Sequence, residues 1–265
     1  MEFLKTKTQP HKIDIVLIIL FPVLAAILTF IFKTNFLIST FLFFGIPSFY
    51  LSLRKPGIVF KSLVFSAIFA IPFGFMIDYL AVVDKSWIIP TSVFNFRLFG
   101  LTTLDGLIWG ILYIFFIVMF YEYFLDFGKR GDTVSKNIKY LFSFLLVLLI
   151  VFFALMFVNP KSLQIEYFYL KSGITIGLIP LLIFLSFFPR FWKKYVIIGV
   201  YFFGDSLLHE LTALYVGQWI FPGKHFIGFI EMFGLRFPFE ELFFWMILCA
   251  VSVLSYYEFF ADDTR

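Results

Sequence analysis

Eight apolar runs, each close to twenty residues long, divide this chain and limit what it can fold into. They extend from about Ile13 to Phe32, Phe36 to Leu53, Ser62 to Val83 and Phe99 to Phe124 in the first half. In the second half they extend from about Tyr140 to Val158, Gly173 to Phe188, Tyr195 to Tyr215 and Pro238 to Phe260. A run of ~20 residues crosses ~30 Å of hydrocarbon as a helix, in which every backbone amide is satisfied within its own segment. Of 265 residues, 62% are hydrophobic and 14% charged, against about one-quarter charged in soluble domains. The chain is therefore predicted to be an all-α integral membrane protein of about eight transmembrane helices. The first run is too long for a signal peptide and has no small-residue cleavage site before Lys33, which predicts a retained helix. Pro180 predicts a kink or break in the sixth.

The loops set a direction. Basic residues gather before the first run, in Arg54-Lys55, in 126–139 (Lys129, Arg130, Lys136, Lys139) and in 190–194. By the positive-inside rule these lie inside, which predicts eight spans with both termini cytoplasmic, in the cell (inner) membrane. Segments 84–98 and 217–237 mix polar and aromatic residues and fall on the outer side, with Trp87 as an interface anchor. The expected organisation is an N-terminal four-helix unit (1–125), a basic linker (126–139) and a C-terminal four-helix unit (140–265).

Several classes of chemistry find no residues here. Cys249 is the sole cysteine, so an internal disulfide and cysteine metal clusters are excluded. His209-Glu210 opens like a zinc-protease motif, but Ala213 stands where the second histidine belongs, so no metal is expected. There is no glycine-rich nucleotide motif, and no cofactor is expected. The net charge of +4 is accounted for by the inner loops and needs no nucleic acid. The expected partners are the lipid bilayer and an apolar substrate, with a homo-oligomer left open. Most of the 44 phenylalanines pack or face lipid; a minority could line an apolar pocket or face a cation with their π-clouds.

The two halves repeat one another at a near-constant offset of 132 to 136 residues. Asp78 and Glu210 each precede a tryptophan, Trp87 or Trp219, by nine residues. Trp87-Ile88-Ile89-Pro90 matches Trp219-Ile220-Phe221-Pro222, and Phe99-Gly100-Leu101 matches Phe233-Gly234-Leu235. Asp105 matches Glu240, and Tyr121-Glu122-Tyr123-Phe124 matches Tyr257-Glu258-Phe259-Phe260. Four spans per half predict two parallel repeats about an axis along the membrane normal.

This repetition brings Asp78, Glu210, Asp105, Glu240 and Glu241 to one layer of the membrane. Carboxyls in hydrocarbon are costly and usually functional. With Pro238 as first helical residue, Glu240 and Glu241 also suit the positive end of the helix dipole, so a capping role competes with a site. Pairing with Arg97, Arg236 or Lys224 is a further structural role. If the carboxyls converge they cannot all ionise, and a neutral acid beside an ionised one equips a site for general acid–base chemistry. Glu240, matched by Asp105, is expected to face the pocket; Glu241, matched by Gly106, is expected to cap or support. A transporter would use similar repeats and acids along a water-filled path, and a non-catalytic lipid- or polyene-binding protein would hold them in ion pairs.

Acid, nine residues, Trp, an aromatic-Pro segment, Gly-Leu, then Pro238-Phe239-Glu240-Glu241 resembles the repeated lycopene cyclase domain, the small flavin-free membrane carotenoid cyclases. Gly217-Gln218-Trp219 and Glu210, where that family usually has Asp, share in the likeness, which covers 75–125 and 205–260. The first repeat departs from it, with Thr103-Leu104-Asp105-Gly106 in place of the proline and second acid. The resemblance implies a redox-neutral isomerase of carotenoid biosynthesis, which protonates the terminal double bond of a linear polyene, closes a ring and removes a proton. Glu240 or Glu241 would be the acid, and Asp78, Asp105 or Glu210 the base or cation stabiliser. Trp87, Trp109, Trp219, Phe243, Phe244 and Trp245 would line the substrate site.

Overall fold

A computed structural model describes residues 11–126 and 133–262. Among them are eight helices long and apolar enough to cross a membrane: α1 (Lys12–Phe32), α2 (Phe36–Arg54), α3 (Pro56–Asp84), α4 (Leu104–Asp126), α5 (Ile138–Val158), α6 (Phe168–Phe187), α7 (Pro189–Val216) and α8 (Glu241–Ala261). The protein is an all-α membrane protein, as the apolar runs require. Part of the 126–139 linker lies outside the described residues.

Burial sorts the helices into layers. The apolar windows of α5 and α6 are 17% and 11% buried, so these two present most of their surface to the surroundings. Those of α4 and α8 are 56% and 61% buried, and the two helices pack on each other at the centre. Lipid tails are as apolar as leucine, so an outward helix can be Leu- and Phe-rich all round, as α5 is.

Several helices contain wide i→i+5 turns, at 41–45, 70–74, 122–126, 173–178, 241–248 and 257–261. Such turns frequently sit at functional sites. In α6 the wide turn precedes Pro180, which lies in the first turn of the regular helix that follows. The proline thus marks the place where the helix is irregular without breaking it.

Helices α3, α6 and α7 begin at Pro56, Phe168 and Pro189, earlier than their runs, and two boundaries next to the connecting segments also differ from the sequence expectation. Helix α4 begins at Leu104, capped by the Thr103 hydroxyl on the Gly106 amide, rather than at Phe99. Pro238 is not the first residue of α8: it closes strand β2 (Leu235–Pro238), antiparallel to β1 (Phe229–Met232). The loop between the strands is Phe233-Gly234, both left-handed (φ 52° and 75°), the arrangement of a two-residue type I′ hairpin. Phe99 and Gly100 in the first half are left-handed too (φ 49° and 79°), inside a short Leu98–Thr102 loop.

Segments 85–103 and 217–240 connect α3 to α4 and α7 to α8, and they meet. Ile88 and Ile220 exchange both backbone hydrogen bonds, 2.9 and 3.0 Å. Each segment leaves its helix through a left-handed residue, Lys85 or Gly217, followed by an amide bond back to the last turn, Ser86 to Ala81 and Gln218 to Ala213. Positions paired by the 132-residue offset therefore share backbone geometry.

Candidate functional site

The matched acids do matched work in two distinct ways. The Trp87 indole N–H donates to Asp78 Oδ1 at 3.1 Å, and the Trp219 indole N–H to Glu210 Oε1 at 3.0 Å. Nine residues span the last turns of α3 or α7 plus the left-handed exit, so each tryptophan folds back onto its own acid. The second pair anchors loops: Asp105 accepts the Val93 amide at 3.0 Å, and Glu240 accepts the Ile227 amide at 2.8 Å. Asp105 and Glu240 are both fully buried, and each holds its own connecting segment against the helix that follows it.

Below this layer lies a cavity of about 270 Å³. Asp78 and Glu241 both face it, with Trp87, Trp109, Trp219, Phe244 and Trp245. Glu210 lies directly behind, its carboxyl against that of Glu241. Tyr169 donates from its hydroxyl to Glu241 Oε2 at 2.6 Å. Trp109, Tyr113 and Trp245 form one aromatic wall, with ring centroids 4.4 to 5.7 Å apart. Trp87 stands edge-on to Tyr169 at 5.1 Å.

This placement corrects three expectations. Glu240 does not line the cavity and Glu241 does, the reverse of the assignment from the repeat alignment. Asp105 lies outside the cavity with Glu240, so three of the five carboxyls gather there rather than all. Phe243 is stacked on Phe239 and is not among the lining residues. Trp87, named both as an interface anchor and as a lining residue, is a cavity wall bonded to Asp78.

The arginines expected as ionic partners are engaged elsewhere. Arg97 donates to the carbonyls of Leu101, Ile89 and Pro90, and Arg236 lies over the Phe229 ring at 4.0 Å. The acids at the cavity accept hydrogen bonds from indole and phenol donors, which fix the orientation of each carboxyl.

Sequence reasoning missed Tyr169, because the sixth run was read from Gly173 and the residue falls in the turn before it. It also missed the glycines that let the walls approach. A Cβ at Gly173 would lie 2.3 Å from Phe244 Cγ, and one at Gly106 would lie 3.3 Å from Ile89 Cδ1 and 3.9 Å from Asp78 Cγ. Among the described residues no group of three or more His, Cys, Asp or Glu is placed to hold a metal ion.

The cavity is thus apolar and aromatic-walled, with its carboxyls, Asp78 and Glu241, among the few polar groups that line it. Comparison with models of known families, with characterised proteins and with solved structures finds no significant match.

Proposed function

We propose that the protein is a lycopene cyclase-like isomerase, closing one end of a linear polyene into a ring by acid–base chemistry. The observation that supports this most is that Asp78 and Glu241 line one mostly apolar, tryptophan-walled cavity, with Glu210 in contact with Glu241. In this reading the Glu241–Glu210 pair carries one proton between them, since two carboxyls in contact avoid a double negative charge. Glu241 delivers that proton to a terminal carbon–carbon double bond. The electron pair of a second double bond attacks the resulting cation and forms the ring bond. Asp78, held by Trp87, removes a proton from the adjacent carbon, and a new ring double bond forms. Substrate and product are isomers, and no oxidant or reductant takes part.

The walls supply what this chemistry demands. Protonating an alkene requires a dry site, and a developing cation is stabilised by ring faces such as those of Trp109, Tyr113 and Trp245. Tyr169 orients Glu241 toward the cavity rather than toward the connecting segments.

The test is pigment analysis of cells that accumulate a linear polyene and express the protein or its variants. Wild type is expected to yield a cyclic isomer of unchanged mass. Glu241→Gln and Asp78→Asn are expected to lower its formation by about 10²–10⁴-fold, the usual weight of a general acid or base. Wild type that returns the polyene unchanged, or a Glu241→Gln variant as active as wild type, would sink the proposal.

A further inference from the structure

The cavity follows four helices, α3, α4, α6 and α8, over several turns of each. Helix α8 contributes lining residues from Glu241 to Tyr256, fifteen residues apart. At ~1.5 Å per residue this corresponds to about 20 Å, more than half of a ~30 Å hydrocarbon core. The other walls agree in direction: Asp78 to Phe69 on α3, Gly106 to Ile114 on α4 and Tyr169 to Gly177 on α6 all lead away from the carboxyls. All the acidic lining sits at one end, and the far end is formed by Phe69, Ile114, Val253 and Tyr256.

One side of this channel is different from the rest. Helices α3 and α6 both line it, and they pack against each other near the carboxyl end, where 75–84 meets 168–172. There the Phe168 amide bonds to Asp84 Oδ2 at 3.3 Å. Farther along, the two diverge in their partners. The wide turn 70–74 of α3 packs on α4 and α5, whereas the wide turn 173–178 of α6 packs on α8. Helix α6 approaches α8 through small residues, with a Cβ at Gly177 falling 3.6 Å from Ser252 Oγ, and Tyr256 bonds across to the Ile176 carbonyl at 2.9 Å. Phe73 and Ile77 on α3, and Ser172 and Ile176 on α6, line the channel on this side and are only partly buried. Both helices carry a wide turn just past the place where they meet, at 70–74 and at 173–178.

We infer that the channel is loaded sideways from the lipid through this slot between α3 and α6, by one linear apolar chain that enters end-first toward the carboxyls. This rests on the cyclase reading for what happens at the carboxyl end, but not for how the chain arrives. A side opening suits a ligand that partitions into hydrocarbon and never crosses water. The channel's length and mostly apolar wall suit an extended apolar chain.

The experiment uses the full chain in phospholipid vesicles, with lycopene as the linear polyene probe. Stopped-flow quenching of Trp109 and Trp245 fluorescence reports arrival in the channel. Ile77→Phe and Ser172→Phe, which narrow the slot, are expected to slow quenching at least tenfold; Phe73→Ala, which widens it, is expected to speed it. Wild-type rates in both narrowed variants, or slowing in all three, would overturn the slot. The two proposals fail separately. Slot-dependent quenching with no ring formed in wild type would remove the cyclase reading and leave the slot. Rings formed with unchanged arrival rates in the narrowed variants would do the reverse.

Discussion

Replacing Lys61 by methionine tests how the two halves are fastened at the ends of the helices away from the cavity. The Lys61 ammonium is 1% exposed, 2.7 Å from Asp262 Oδ1 and 3.1 Å from Glu122 Oε1, and lies 5.3 Å from the centre of the Tyr257 ring. Tyr257 also donates its hydroxyl to Glu122. Lys194 makes a similar contact in the other direction, 2.7 Å from Asp126 Oδ1 and 5.0 Å from the centre of the Tyr121 ring, but its side chain is 27% exposed. Each lysine thus holds an aspartate of the other half. Removing one partner of a buried pair costs about 3–5 kcal/mol, because the remaining charges stay in low dielectric. With water able to reach Lys194, its loss should cost nearer 1–2 kcal/mol. Each kcal/mol moves the melting temperature by roughly 2–4 °C in a chain of this size. Lys61→Met should therefore lower Tm by about 6–20 °C and Lys194→Met by about 2–8 °C, as read from intrinsic fluorescence during heating in detergent. Adding Glu122→Gln and Asp262→Asn to Lys61→Met should recover more than half of the loss, since the buried charges then vanish together. Equal shifts for the two lysines, or a triple variant no better than Lys61→Met, would refute the reasoning.

The remaining predictions concern the site and the halves. Glu240→Gln should keep ring formation within about threefold of wild type, because its carboxyl bonds a loop amide that a glutamine oxygen can still accept; a loss as large as that of Glu241→Gln would show that it takes part in the chemistry. Gly173→Ala should destabilise by about 1–3 kcal/mol and reshape the cavity by displacing Phe244, measured by Tm and by product yield together; no change in either would mean that the ring has free space. Residues 1–130 and 131–265, co-expressed as separate chains, should copurify one to one, because Lys61–Asp262, Lys194–Asp126 and Ile88–Ile220 all join the halves. Lys61→Met should weaken that copurification.

Much of the fold was legible because a membrane span announces itself by composition. Each of the eight runs overlaps its helix, and the misses lie at the starts: Ser62, Gly173 and Tyr195 fall inside helices that begin at Pro56, Phe168 and Pro189, and Phe99 lies before the Leu104 start. The hairpin was legible in principle: Phe229 to Pro238 alternates around Phe-Gly, but an aromatic-rich stretch beside a proline reads as a helix start. The site was half legible. Spacing identified the acid–tryptophan pairs Asp78–Trp87 and Glu210–Trp219, since the connecting geometry is local. The choice between Glu240 and Glu241 went the wrong way for two reasons. A carboxyl shared by both halves marked the shared loop anchor rather than the pocket. The wide turn that starts at Glu241 also shifts the helical phase, so regular 3.6-residue spacing does not carry across it. Tyr169 had no local signal at all, because its importance arises only from where α6 meets α8.

The exchange of backbone bonds between Ile88 and Ile220 has a consequence for how such a chain can change over time. The link uses only amide and carbonyl groups, which every residue except proline provides in full. Side chains on either segment can therefore drift without untying the two, and the roof over the cavity survives as one plate. One half is then free to lose acids and prolines, as Thr103-Leu104-Asp105-Gly106 differs from Phe237-Pro238-Phe239-Glu240-Glu241, while the other specialises. Motion follows the same rule: for one segment to lift from the cavity alone, both bonds must break, at about 1 kcal/mol each, so small displacements of one are shared by the other.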